Sequence, residues 1–264
     1  MKAEDEASGS SLFAHPEAKA VFESVMTTLV TESDRGAVLV GTSLVDRQLA
    51  KLFEKVAPAS LSHGKLKNML SYPGVLSTLA AKADIAYTVR LIGNPVYKAI
   101  GILRSIRNEV AHSPDSFQLT GHEQRLREMY ALGPGVPGAV NQMALRIILH
   151  SAVRHVLESA TNLEEELGKS YFKDPSEVLD YIAESPELTA LLEERRPRFE
   201  LGICVSIICA LIVYHREQAA RVLKGDELIA ALIPADARNG SPQEEEIEKR
   251  SEEVAPNPVG EADG

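Results

Sequence analysis

The sequence predicts an all-α protein: one helical bundle over residues 15–232, with a disordered N-terminus (1–14) and a disordered acidic tail (233–264). Three observations predict it. Apolar residues make up 44% of the chain but aromatic residues only 5%, and almost no stretch alternates β-branched with polar residues as a strand does. Apolar residues recur instead at steps of three and four. Short polar residues followed by proline also stand repeatedly where helices should begin.

The elements follow in order. Pro16 and Glu17 open a helix with a stripe of Val21, Phe22, Val25, Met26, Leu29 and Val30. Thr31 and Ser33 are candidate caps for the next helix, 34–55, with Asp34 in its first turn. Gly36 and Gly41 weaken that helix, which implies a neighbouring backbone packed closely against it. Residues 57–74 read as a loop with a short helix at 65–70. Residues 75–91 are helical, with Leu76, Leu79, Ala83, Ala86, Tyr87 and Arg90 facing inward and Gly93 as the stop. Asn94-Pro95 then opens a helix whose Val96, Ala99, Ile100, Leu103, Ile106 and Val110 form a single stripe, and Ser113-Pro114 ends it.

Farther on, Thr120-Gly121-His122-Glu123 is a capping-box pattern for a short helix to about residue 132. The glycine- and proline-rich run 133–138 breaks the chain, and a long helix follows from 139 to 167. Asp174-Pro175 and Ser185-Pro186 each open a short helix, an apolar helix covers 197–223, and a last short one covers 225–232. Leu39, Leu44, Leu49, Leu103, Ile106, Ile208 and Leu211 are the expected core.

The net charge of −10 misrepresents the body. Residues 1–9 contribute −2 and residues 241–264 contribute −6, which leaves −2 for everything between. A body so nearly neutral argues against a broad surface for phosphate backbones, though not against a local basic groove. Cys204 and Cys209, five apart in an apolar run, have the wrong spacing for a redox pair or a zinc site and read as small buried hydrophobes. Cysteine use this sparse suits a reducing cytoplasm, and the acidic, polar N-terminus does not resemble a secretory signal. The run 201–214, apolar apart from Ser206, rises only about 21 Å as a helix, short of a bilayer core, so it reads as a central helix and not a membrane span.

The residues richest in chemistry stand in the last turns of the helix that Asn94 opens: Arg104, Arg107, Asn108 and His112. Two readings stay open for them. In a structural one, Arg107 pairs with a carboxylate such as Asp34 or Asp84, and His112 closes its own helix, where the dipole favours a cation. In a functional one, the same residues bind a ligand or partner, or catalyse, with Asp34 and Arg35 joining the cluster. His150, Arg154 and His155 read as a solvated face, and Arg195, Arg196 and Arg198 as a small basic knot.

Three blocks carry a family likeness: 32–37 (Glu32-Ser33-Asp34-Arg35-Gly36-Ala37), 81–87 (Ala81-Lys82-Ala83-Asp84-Ile85-Ala86-Tyr87) and 106–112 (Ile106-Arg107-Asn108-Glu109-Val110-Ala111-His112), with Phe117 after the last. In order and separation they resemble the mannitol-operon repressor (MtlR-type) family, over residues 18–118 and again over 196–222. The stretch 121–195 is longer than that pattern expects and reads as an insertion. The resemblance implies a helical, self-associating domain that regulates transcription of a sugar-alcohol operon. Arg107 to His112 also resembles the motif of the HEPN superfamily, many of whose members are metal-independent ribonucleases. That likeness implies Arg107 and His112 as a catalytic pair, the histidine moving protons and the guanidinium holding phosphate.

The expectation is therefore a cytoplasmic, non-enzymatic regulator without cofactor or metal, acting as a homo-oligomer through a protein partner. No helix carries a basic reading face, so direct DNA binding should be weak or absent. A HEPN-like ribonuclease acting on RNA is the alternative.

Overall fold

Polar side chains cap the starts of several helices. In the computed structural model, which describes residues 14–112, 117–168, 171–172 and 174–223, His15, Ser33, Ser62, Thr78 and Asp174 each accept a backbone N–H from the helix that follows. The described helices are α1 (Pro16–Val30), α2 (Asp34–Val56), α3 (His63–Leu70), α4 (Leu79–Thr88) and α5 (Asn94–His112), followed by α6 (Glu123–Met129), α7 (Val136–Leu167), α8 (Pro175–Glu184) and α9 (Pro186–Leu223). No strand occurs among the described residues, and the fold is all-α. The expectations for residues 1–13, for a helix at 225–232 and for the tail lie outside the described residues.

Helices α2 and α5 are the centre of the packing. α2 lies against α1, α4 and α5, and α5 also lies against α4 and α6. The six stripe residues of α5, Val96, Ala99, Ile100, Leu103, Ile106 and Val110, are all buried. α9 is buried along its apolar run: Leu201, Ile203, Cys204, Val205, Ile208, Cys209 and Ile212 have no exposure at all. Leu49 is likewise buried, whereas Leu39, Leu44 and Leu211 are only partly so and pack against the margin of the core. By length and composition α9 is apolar enough to cross a membrane, yet 78% of its most apolar window is buried inside the protein. The described residues up to Ala220 belong to one compact unit.

Polar contacts tie α9 to the helices around it. The Arg196 guanidinium donates to Glu200 at 3.0 Å and to Glu193 at 3.2 Å, and also bonds Asn141 of α7. The Tyr130 hydroxyl donates to Glu200 at 2.7 Å. Burial, with the Glu200 carboxylate beside it, drives that phenol far above its ordinary range and keeps it a donor. Arg216 bonds Glu17 of α1, whose carboxyl that guanidinium holds below the usual range.

Several expectations need correction. The helix expected at 75–91 starts at Leu79 and ends at Thr88. Arg90 takes a left-handed φ of 61°, while the N–H groups of Arg90 and Leu91 return to the carbonyls of Tyr87 and Ala86. That is a Schellman closure, which usually uses glycine. Tyr87 and Arg90 consequently face outward. The capping box at Thr120 does not form, because both Glu123 carboxylate oxygens accept the Gly121 N–H at 3.0 Å instead. That bond holds the Glu123 carboxyl below its usual range. The two helices expected across 185–223 are one, with Pro197 inside it. Arg196 bonds acids a turn before and a turn after itself, which splints the helix across the missing proline N–H. Close packing at Gly41 is against a side chain, not a backbone: a Cβ there would meet Val205 at 3.3 Å and Leu29 at 3.6 Å.

Two outcomes follow from this packing. Leu103→Ala should lower stability by about 2–5 kcal/mol in urea unfolding followed by far-UV circular dichroism. A loss under about 0.5 kcal/mol would contradict the placement of the α5 stripe. Burial also pushes both cysteine thiols up, Cys209 to about 12. Neither should react with an aromatic disulfide reagent in the native protein, and both should react in urea.

Candidate functional site

The C-terminal half of α5 carries two polar faces, one on each side of its buried stripe. Arg104, Arg107 and Asn108, at steps of three and four, share the first. Ser105, Glu109 and His112 share the second.

The first face looks into a cleft of about 490 Å3 whose other walls are α2, through Leu39, Thr42, Ser43 and Asp46, and the start of α4, through Ser77 to Ala80. Three elements meet there because each is capped or pinned nearby. Thr78 caps α4 by accepting the Ala81 N–H at 3.1 Å. Lys82 of α4, only 3% exposed, donates to Asp46 of α2 at 2.7 Å. At the far end of α2 the Arg35 guanidinium donates to the Val110 carbonyl at 2.9 Å, which meets one of the open carbonyls of the α5 C-terminus.

Asp34 is the hinge of this arrangement. One carboxylate oxygen accepts Nε of Arg198, at 2.6 Å, and the other accepts the Leu119 backbone N–H at 2.8 Å. Asp34 thereby joins α2 to α9 and to the segment that follows α5. Asp84 is engaged elsewhere, accepting the Tyr97 hydroxyl at 2.9 Å, and that carboxylate holds the Tyr97 phenol above its usual range. The Tyr97 ring stacks on Tyr87 with centroids 4.5 Å apart.

The two carboxylates named as candidate partners of Arg107 are engaged elsewhere. Arg107 pairs with neither Asp34 nor Asp84 and is exposed in the cleft. Among the described residues its guanidinium reaches the neighbouring Asn108 side chain, at 3.4 Å. Among the described residues no carboxylate pairs with Arg104 or Arg107. His112 is exposed on the last turn of α5 and does not line that cleft. Five residues separate it from Arg107, so the two side chains leave the helix about 140° apart. Of the expected cluster, Arg104, Arg107 and Asn108 share the cleft, whereas Asp34, Arg35, Asp84 and His112 do not line it. Of the basic knot, Arg196 and Arg198 are bound to acids, and only Arg195 stays exposed.

The second face of α5 holds a cluster that sequence reasoning missed. Arg125 of α6 donates to Glu109 at 2.7 Å and to Ser105 at 2.8 Å. The His122 Nε2 lies 3.6 Å from Glu109, and its ring stacks on Phe117 at 5.1 Å. The only sequence signal was His122 itself, which the capping pattern absorbed. These contacts fasten α6 onto α5 and engage Glu109 and Ser105 of the second face.

Comparison of the chain with family models, with curated proteins and with solved structures finds no match.

The geometry separates two kinds of residue in stability. Arg107→Ala should change the unfolding free energy by no more than about 0.5 kcal/mol, as for an exposed side chain. Asp34→Ala should cost about 1.5–3 kcal/mol, since it removes hydrogen bonds of a charged group. Urea melts of both variants check this, and equal losses would contradict it.

Proposed function

We propose that this chain is a non-enzymatic transcriptional regulator of the mannitol-operon-repressor type, acting through self-association and a protein partner. The observation that supports this reading is the exposure of large apolar side chains in two regions. Tyr72, Val75, Ile85, Tyr87 and Val89 are exposed in and around α4. Leu145, Leu149, Leu179, Tyr181 and Leu191 are exposed on α7, α8 and the start of α9. Grouped apolar side chains left facing water favour association with a partner surface. The body between the charged ends is nearly neutral, so phosphate-backbone attraction contributes little and direct DNA binding is weak.

One observation favours the ribonuclease alternative. Arg107 and His112 are both exposed, and neither is tied to a carboxylate among the described residues, so a substrate can reach each of them. Their 140° divergence means that one chain does not close a pair around a phosphate. Catalysis then needs two copies whose helices α5 face each other.

A single set of assays separates the readings. The regulator should give no sequence-specific anisotropy change with operator-length DNA at physiological salt, and should elute as an oligomer by light scattering. It should also leave RNA intact in EDTA. Cleavage that falls about a hundredfold or more in both His112→Ala and Arg107→Ala, with folding retained, would establish the enzyme instead.

A further inference from the structure

We propose that the cleft between α2, α4 and α5 binds a small hydroxylated phosphate monoester. The site stands on its own chemistry, whether or not the chain regulates transcription. Its walls are of opposite hydrogen-bonding character. The α5 wall only donates toward the cleft: Arg104 and Arg107 have no carboxylate partner among the described residues. The Asn108 carbonyl oxygen faces Arg107, which leaves the amide N–H groups. Thr78 adds to that side, since its oxygen accepts the Ala81 N–H and leaves its hydroxyl proton to donate.

The α2 wall accepts. The Ser43 hydroxyl donates to the Leu39 carbonyl at 3.0 Å, and the Thr42 hydroxyl to the Val38 carbonyl at 2.7 Å. Their protons are spent on the helix, so the oxygens offer lone pairs. Asp46 gives one oxygen to Lys82 and keeps the other.

A ligand that satisfies both walls has an anionic head and a body carrying donors. Two guanidinium groups and an amide supply more N–H groups than the two oxygens of a carboxylate can accept. The three terminal oxygens of a phosphate monoester match them better. On the other wall the Asp46 charge is already neutralised by Lys82, so hydroxyl groups fit it better than an ammonium. The volume of about 490 Å3 lies within the range of small-molecule sites and holds a compound of sugar-phosphate size. Arg104 and Arg107, three apart on one helix face, repel each other, and an anion held between them offsets that repulsion.

The test is calorimetric titration of the full chain with inorganic phosphate, glycerol 3-phosphate, a hexose 6-phosphate, AMP and the unphosphorylated hexose. A hydroxylated phosphate monoester should bind at least about tenfold more tightly than inorganic phosphate, and the free hexose should not bind. The hexose phosphate and AMP arms distinguish a sugar phosphate from a nucleotide as the source of that chemistry. Arg104→Ala and Arg107→Ala should each weaken binding about tenfold or more, as expected for loss of a charge-assisted contact. Both side chains are exposed, so circular dichroism should show the fold unchanged. Ser43→Ala should weaken the hydroxylated esters and leave inorganic phosphate unaffected. Equal affinity for inorganic phosphate and every ester, or affinity untouched by both arginine variants, overturns the proposal. So does an RNA oligonucleotide that binds through Arg104 and Arg107 more tightly than any of the small esters.

Discussion

The Asp34 carboxylate is the contact on which this end of the protein depends. It stands in the first turn of α2, where a negative charge is favoured by the helix dipole. With its two oxygens it holds Arg198 of α9 and the Leu119 N–H beyond α5. Arg35, next in sequence, reaches the α5 C-terminus through the Val110 carbonyl. One short dipeptide thus sets α2, α5 and α9 relative to one another. It also decides what stays free: Asp34 is taken by Arg198 and Asp84 by Tyr97, and among the described residues no carboxylate pairs with the α5 arginines.

From that follows a division of labour on α5. Its stripe is core. On its second face Glu109 and Ser105 are engaged by Arg125 of α6 and by His122 just before it, while His112 stays exposed. Its first face, with Arg104 and Arg107, opens on the cleft. Buried ion pairs and hydrogen bonds fix the scaffold, and exposed cations on the same helix remain available to a ligand. Proteins commonly place recognition chemistry this way, on a rigid element whose own packing is complete.

Much of the fold was legible because it rests on local chemistry. The α5 stripe is a periodicity; Ser33 and Asp174 are caps; the apolar run of α9 is too uniform to lie at a surface. The misreadings have equally physical causes. Arg90 closes α4 in a conformation that usually marks a glycine, so no local residue announced the end of that helix. Pro197 reads as a helix start, and only the long-range and flanking bonds of Arg196 reveal a continuous helix. The candidate site was half legible. The motif residues are exposed at one helix end as functional groups are, but the partner of Asp34 lies 164 residues away in sequence. Competition between Arg107 and Arg198 for one carboxylate is decided by tertiary packing, which no spacing rule encodes.

Double-mutant cycles on that carboxylate test the account most directly. Asp34 should be combined in turn with Arg198 and with Arg107, each changed to alanine, and the unfolding free energies compared. Asp34 and Arg198 should couple by about 1 kcal/mol or more, and Asp34 and Arg107 by less than about 0.3 kcal/mol. Strong coupling of Asp34 to Arg107, with little to Arg198, would contradict the arrangement and close the arginine cleft.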